Sequence, residues 1–352
     1  MENLYIFIMA GGSGERFWPM SRSATPKHLL RLVSERTLLE EAVIRALAVA
    51  SSDRIFVLTN EAQIDACRAA VPQLAPHHFI AEPAKRDTAP AAALATALAR
   101  VRDPNAICAI FPADSMIHDT ETYAKQVLDS AQAISKSGAL LTFAIQPTYP
   151  ATGFGYLDLG EQISTGAHGS AICRVNRFVE KPDPDTAQDY FESGTFGWNA
   201  GMFVWRAASF LGECERLNPP LANFISTFPT GNPTQFLAEN FPLLPKISVD
   251  YAIMEQAREV LSVRATFDWD DVGAWTALPA HLGTDEFGNT VRGHNAMYDA
   301  KDNIVIANTR TIALCGVRDL IIVETADAIL VCDRKAAQNI KNLQPLLTPE
   351  LK

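Results

Sequence analysis

The sequence predicts an α/β protein, a mixed and mostly parallel sheet flanked by helices, followed by a small C-terminal β-rich domain. Three observations carry this. Apolar strand-like runs alternate with helix-periodic segments up to about Phe143, the first run ends in a glycine-rich turn, and the texture changes after Gly288.

The strand-like runs are Leu4–Met9, Arg54–Thr59, His78–Ala81, Ala106–Phe111 and Ala139–Phe143. Between them, Leu38–Ala50, Glu61–Val71, Thr88–Arg102 and Tyr123–Ser137 have helical periodicity, and the Ala- and Leu-rich Thr88–Arg102 has strong helix propensity. Such alternation argues for βαβ units and a sheet covered on both faces. Ligands of such sheets bind beyond the strands' carboxyl ends. From Gly153 to Leu282 the pattern is mixed. Tyr156–Leu159, Ile172–Val179 and Gly201–Trp205 read as strands, Thr186–Ser193, Ala208–Arg216 and Val249–Glu259 as helices, and Asn218–Pro245 as loop. Beyond Gly288, Asn303–Ala307, Thr311–Leu314, Leu320–Val323 and Ile329–Val331 are short β-branched runs, with a helix from about Ala336. Regularly spaced short strands suit a β-solenoid or a sandwich, and periodicity does not choose between them. The expected division is a domain over 1–284 and a second over 285–352.

A formal charge of −10 over 352 residues argues against nucleic acid or an anionic membrane as partner. Six scattered cysteines without a C-x-x-C pair suit reduced thiols in the cytoplasm. Leu4–Ala10 is cut off by Gly11-Gly12, too early for a signal peptide or a membrane span.

Chemistry concentrates in the loop after the first strand, Ala10, Gly11, Gly12, Ser13, Gly14, Glu15 and Arg16, followed by Pro19, Arg22, Pro26 and Lys27. Glycines let backbone N–H groups approach phosphate oxygens. Arg16 offers a forked guanidinium and Lys27 a compact charge. The loop lacks the G-K-[ST] ending of a P-loop and the spacing G-x-G-x-x-G, so neither a Walker ATPase nor a Rossmann dehydrogenase is indicated. Asp114 follows the strand ending at Phe111; from the residues alone it reads equally as a turn or cap residue and as a metal ligand.

The segment Gly11–Arg22 with Pro26-Lys27 resembles the signature of mannose-1-phosphate guanylyltransferases, and Phe178-Val179-Glu180-Lys181-Pro182 resembles the family's sugar-phosphate motif. Glu82-Pro83 through Pro90, Trp198–Phe203, Ser248–Glu255 and Trp269–Trp275 match in family order, so the resemblance spans essentially the whole chain. It implies a Rossmann-like nucleotidyltransferase domain with a left-handed β-helix-like C-terminal domain. The implied reaction is sugar 1-phosphate plus GTP giving GDP-sugar and pyrophosphate, which calls for positioning and charge neutralisation rather than a protein nucleophile.

By that resemblance the catalytic residues are Arg16, Lys27, Asp114, Lys181 and Asp271, with Asp114 and Asp271 holding Mg²⁺, an ion that takes one or two carboxylates. Asp270 has a supporting or surface role. The nucleotide is bound by residues 10–16 with Glu82, Arg86 and Thr88; Glu82 is the candidate acceptor for the guanine N1–H and N2 amino donors. Gly153, Glu180, Lys181 and Asn199 are expected at the sugar phosphate. The partners implied are GTP and mannose 1-phosphate, with a homodimer contact one use of the C-terminal strands. His28, Asp87, Ser115 and Phe154 depart from the frequent Gln, Asn, His and Tyr, and Asp87 puts the base and ribose contacts in doubt. The chain lacks the phosphomannose isomerase domain of longer relatives, so that activity is expected to be absent. The same chemistry on another hexose 1-phosphate or nucleotide, and a non-catalytic regulatory relative, are the alternatives.

Overall fold

The computed structural model describes residues 1–12 and 14–352. Nine strands form the main sheet: β1 (Leu4–Ala10), β2 (Ile55–Asn60), β3 (Phe79–Glu82), β4 (Ile107–Pro112), β5 (Leu140–Ile145), β6 (Gly155–Thr165), β7 (Ala171–Glu180), β8 (Phe196–Arg206) and β9 (Val260–Arg264). Its first half alternates with α1 (Leu38–Leu47), α2 (Ile64–Ala70), α3 (Thr88–Arg102) and α4 (Thr120–Ile134). Its second half carries α5 (Pro184–Ser193), α6 (Ala207–Leu217), α7 (Pro219–Thr227), α8 (Thr234–Asn240), the single turn α9 (Val249–Ala252) and α10 (Leu278–Leu282).

Across the sheet the order is β3-β2-β1-β4-β8-β5-β9-β7-β6. β1 to β4 are parallel, and β8 lies antiparallel between β4 and β5. The chain leaves β1 towards β2 and β3, then returns to place β4 on the other side of β1. β1 and β4 stay paired to Met9 and Pro112, but the chain leaves β1 towards β2 and β4 towards β5 on the opposite side, so a crevice lies beyond their carboxyl ends at that switch point. Strands buried on both faces read as continuous apolar runs, and β1 and β4 do so because a helical layer covers each face: α1 and α4 on one, α3, α6 and α7 on the other. α3 is buried from Ala89 to Ala99, its small side chains letting it lie against both the sheet and α7.

Beyond α10 follow β10 (Thr290–Arg292), β11 (Asn295–Tyr298), β12 (Ile304–Ala307), β13 (Ile312–Cys315), β14 (Leu320–Glu324) and β15 (Ile329–Asp333). β10, β12 and β14 stack in parallel on one face and β11 and β13 on another. Successive short strands paired in parallel make a β-helix and not a sandwich. Its turns are held by stacked amides, Asn303 Nδ2 donating to Asn289 Oδ1 at 3.0 Å. A 3₁₀ segment, Arg334–Leu346, follows β15.

This segment shares a core with the main body. Phe17, Trp18, Leu30 and Trp275 pack with Ile304, Ile306, Ile321, Val323 and Ile340. Each fully buried side chain of this size contributes on the order of 3 kcal/mol. Trp18 Nε1 donates to the Leu351 carbonyl at 3.0 Å, and Arg22 pairs with Asp327 at 3.2 Å. The C-terminal strands are thus bolted to the stretch that follows the glycine loop.

Several sequence expectations are corrected. Asn218–Pro245 is mostly helical: Pro219 and Pro220 stand in the first turn of α7, where a missing N–H costs nothing. Val249–Glu259 is not one helix, since only Val249–Ala252 is α-helical before a 3₁₀ turn leads into β9. β9, β10 and β11 are elements that the periodicity did not reveal.

Candidate active site

Two adjoining cavities open beyond the carboxyl ends of β1 and β4. The larger, about 510 Å³, is lined by Arg16, Lys27, Asp114, Gly153, Glu180, Asn199, Asp250 and Asp271 among others. The smaller, about 340 Å³, is walled by Gly11, Gly12, His28, Glu82, Lys85, Arg86, Asp87 and Lys246. Met9, Thr88, Pro112 and Asp114 line both, so one continuous crevice runs from Glu82 to Glu180.

Ala10 ends β1 and accepts the Thr59 hydroxyl at 2.8 Å; it lines neither cavity. Ser13 lies outside the described residues. Gly14 has φ 66°, and a Cβ there would clash with the Lys27 Cβ and fall 2.9 Å from its backbone nitrogen, so this position needs glycine. Arg16 Nη1 donates to the Gly273 carbonyl at 3.3 Å, tying the glycine loop to the loop that carries Asp271. Thr88 Oγ1 accepts the Val249 N–H at 2.9 Å and joins α3 to α9.

Lys27 and Asp114 form the electrostatic centre, with Nζ 2.9 Å from Oδ2. Nζ also donates to the Asp271 backbone carbonyl. Burial pushes the Asp114 carboxyl up, but the Lys27 charge and hydrogen bond, with His28, outweigh it and hold it below the ordinary value. Asp271 goes the other way. Burial raises it, and the neighbouring Asp270 and Asp114 carboxylates add to that against Lys27 and Arg16. Val272, the next residue, has φ 44° with its side chain fully buried, a conformation a β-branched residue adopts only when packing enforces it. Packed strain therefore sets the loop that turns Asp271 into the cavity. Asp270 supports the same loop, accepting the Val272 N–H at 2.6 Å and meeting His281 Nε2 at 3.1 Å.

Among the described residues no cluster of three or more His, Cys, Asp or Glu side chains forms a closed metal cage. Two carboxylates on one cavity wall, one with its pKa raised by burial and by its carboxylate neighbours, fit instead a hard cation that shares its shell with substrate and water.

In the smaller cavity, burial pushes the Glu82 carboxyl up to about 8. Burial likewise drives the His28 imidazole down to about 4, so it is neutral at physiological pH. Arg86 is engaged with the Pro242 carbonyl. Asp87 caps α3, its carboxylate accepting the Thr88 N–H at 2.8 Å, and its φ of 70° with ψ −172° is a strained conformation for a non-glycine residue.

At the other end, Asn199 accepts the Thr142 hydroxyl at 2.8 Å and donates to Asp250 at 3.1 Å. Burial, with Glu180 nearby, raises the Asp250 carboxyl to about 7. Gly155 allows Glu180 to reach the cavity, since a Cβ there would meet its carboxylate. Lys181 is paired with Glu180 at 2.6 Å, is 59% exposed, and does not line the cavity. Phe154 stacks edge-on to Trp198 and Trp269 as part of the wall. Sequence reasoning gave no role to Asp250, although it lies in a quoted motif, nor to Trp269, Lys85 or Lys246.

Asp129, His168 and Ser170 come together elsewhere, but both donate to the carboxylate, His168 Nδ1 at 2.8 Å and Ser170 Oγ at 2.6 Å. That is a hub holding the β6–β7 turn, and among the described residues no hydrogen bond joins the serine to the histidine.

The family described as nucleotidyl transferase matches residues 6–284, and a mannose-phosphate isomerase/GMP-like β-helix domain matches 293–344. The chain belongs to the nucleotidyl transferase family. It is similar to mannose-1-phosphate guanylyltransferases of Salmonella muenchen, 35% identical over 97% of this chain and 73% of the relative, and of Escherichia coli, 34% identical with the same coverage. A crystal structure from Thermus thermophilus, described as a mannose-1-phosphate geranyltransferase, superposes with a TM-score of 0.88 at 30% identity, covering 98% of this chain and 99% of that one. A glucose-1-phosphate thymidylyltransferase-like structure from Bacillus anthracis, 14% identical at TM-score 0.50 over 79% of this chain and 93% of that one, shares the fold alone. This chain is therefore a nucleotidyltransferase, in which a mixed sheet carries the site and a β-helix is appended. No described helix is long and apolar enough to cross a membrane.

Proposed function

We propose that this nucleotidyltransferase moves GMP from GTP to α-D-mannose 1-phosphate, giving GDP-mannose and pyrophosphate, with Mg²⁺ as the divalent ion and the cytoplasm as its place of work. The observation that carries the reading is the continuous crevice in which Lys27, Asp114 and Asp271 stand between a base-sized cavity at Glu82 and a polar one at Glu180, Asn199 and Asp250. The names of relatives about 35% identical supply mannose and guanine.

A phosphate oxygen of mannose 1-phosphate attacks the α-phosphorus in line, the bond from that phosphorus to the bridging oxygen breaks, and pyrophosphate leaves with the electron pair. Bound between Asp114 and Asp271, the ion would supply charge neutralisation at the phosphates. Gly11, Gly12 and Gly14 let the chain approach the triphosphate, and Arg16 and Lys27 bind it. Positioning these groups in advance lowers the barrier without a covalent intermediate. Glu82 accepts the guanine N1–H and N2 amino donors, which adenine does not present in that pattern. Glu180, Asn199 and Asp250 receive the sugar hydroxyls, and Lys181 reaches the sugar phosphate by exchanging its Glu180 partner for it.

The test is a substrate matrix of GTP, ATP, UTP and dTTP against mannose, glucose and galactose 1-phosphates, read by pyrophosphate release. GTP with mannose 1-phosphate should lead in kcat/KM. A clear preference for another pair would keep the chemistry and refute the assignment.

A further inference from the structure

The C-terminal 3₁₀ segment brings a cation into the transferase site. Arg334–Leu346 packs on the turn Glu15–Phe17 that follows the glycine loop. Ala337 and Ile340 hold its inner face, each 2% exposed, in the core that contains Phe17, Trp18 and Trp275. Residues three apart eclipse in a 3₁₀ helix, so Gln338 and Lys341 share one face. Lys341 lines the main cavity, and Gln338 lines a neighbouring cavity of about 660 Å³ that shares Arg16, Asp271 and Gly273 with it.

Charge gives this placement its meaning. Five acidic residues line the main cavity, Glu15, Asp114, Glu180, Asp250 and Asp271, against three basic ones, Arg16, Lys27 and Lys341. Lys27 is already paired with Asp114. Lys341 is exposed and has no ion pair or side-chain hydrogen bond to any described residue. A triphosphate and a sugar phosphate entering such a cavity need every uncommitted cation, and a charge-assisted hydrogen bond to phosphate is among the stronger polar contacts.

We propose that Lys341 is a phosphate-binding residue of the active site, holding the β- and γ-phosphates of the nucleotide and hence the pyrophosphate that leaves, with Gln338 donating from the shared rim. Its segment packs on the turn Glu15–Phe17 that follows the glycine loop, so it reaches the crevice from the side of that loop. The C-terminal domain thereby completes the site. This inference rests on the triphosphate reading of the glycine loop.

The test uses the full chain with Lys341→Ala, Lys341→Gln, Lys341→Arg and Gln338→Ala. The KM for GTP is measured forwards, the KM for pyrophosphate in the reverse direction, and pyrophosphate affinity by calorimetry. Losing a charged hydrogen bond should raise both KM values and weaken pyrophosphate binding about tenfold in the Ala and Gln variants. The KM for mannose 1-phosphate and the Tm should stay close to wild type, Lys341→Arg should recover most of the loss, and Gln338→Ala should show a smaller effect. Unchanged pyrophosphate binding in Lys341→Ala overturns the proposal. So does an equal loss for every substrate with a lowered Tm, or an Arg variant as damaged as Ala. If the unaltered chain releases no pyrophosphate from GTP, the reaction assignment fails, while calorimetry with pyrophosphate still decides Lys341.

Discussion

Two glutamates, one half-buried and one nearly inaccessible, show how differently the two parts of this molecule treat charge. Glu82, in the wall of the smaller cavity, receives no hydrogen bond from any described residue, and burial pushes its carboxyl up to about 8. Glu324, at the end of β14 and 1% exposed, accepts the Asn308 and Thr309 N–H groups at 2.9 Å and the Thr309 hydroxyl at 2.6 Å. Those donors hold it down at about 2. The β-helix satisfies its carboxylate completely, as a structural charge requires. The crevice leaves Glu82, Asp250 and Asp271 with raised pKa values, a cost that the proposed ligand contacts would offset.

The contrast breaks most visibly at Asp271. Asp271→Asn should lower kcat by about a thousandfold or more, since it removes one of the two carboxylates assigned to the ion. The Tm should hold or rise because a carboxyl disfavoured by burial is gone; turnover near wild type would remove Asp271 from the mechanism. Glu82→Gln should raise the KM for GTP at least about tenfold, the scale of a lost hydrogen bond to a charged group, again without loss of Tm. Glu324→Gln should do the reverse, lowering the Tm by several degrees and leaving kcat and KM unchanged.

The two glutamates also differ in the sign of their pH dependence. The Glu324 pKa is depressed, so its stabilisation is present above its ordinary value of 4.5 and is lost as pH falls through about 2. The Glu82 pKa is raised, so its ionisation costs stability as pH rises from 4.5 towards 8. Guanine donors favour the carboxylate, so GTP affinity should climb with pH and level off above about 8. Calorimetry near pH 7 in buffers of different ionisation enthalpy should detect release of about one proton with GTP. Glu82→Gln should release none by this route.

Much of this was legible in the sequence because the informative signals are local. The alternation up to Phe143 and the glycine loop locate the switch point, and Asp114 follows β4 directly. The helices within Asn218–Pro245 were hidden because prolines that start a helix look like prolines that end one. β9 was hidden because it follows a helix-like segment after only a short turn, and its place beside β5 depends on long-range pairing. The arrival of Lys341 beside Arg16 depends on a shared core between distant segments, and no motif encodes it. Lys181 lies in a clear motif, yet the structure pairs it with Glu180 outside the cavity wall, so its reach to a sugar phosphate is a matter of rearrangement.

The most direct test of the account is the product formed from GTP and mannose 1-phosphate with Mg²⁺, resolved by chromatography and mass. GDP-mannose and pyrophosphate in equal amounts, lost in Asp271→Asn and retained in Glu324→Gln, is the predicted result. A different nucleotide sugar as the preferred product, or equal turnover by the Asp271 variant, would contradict it.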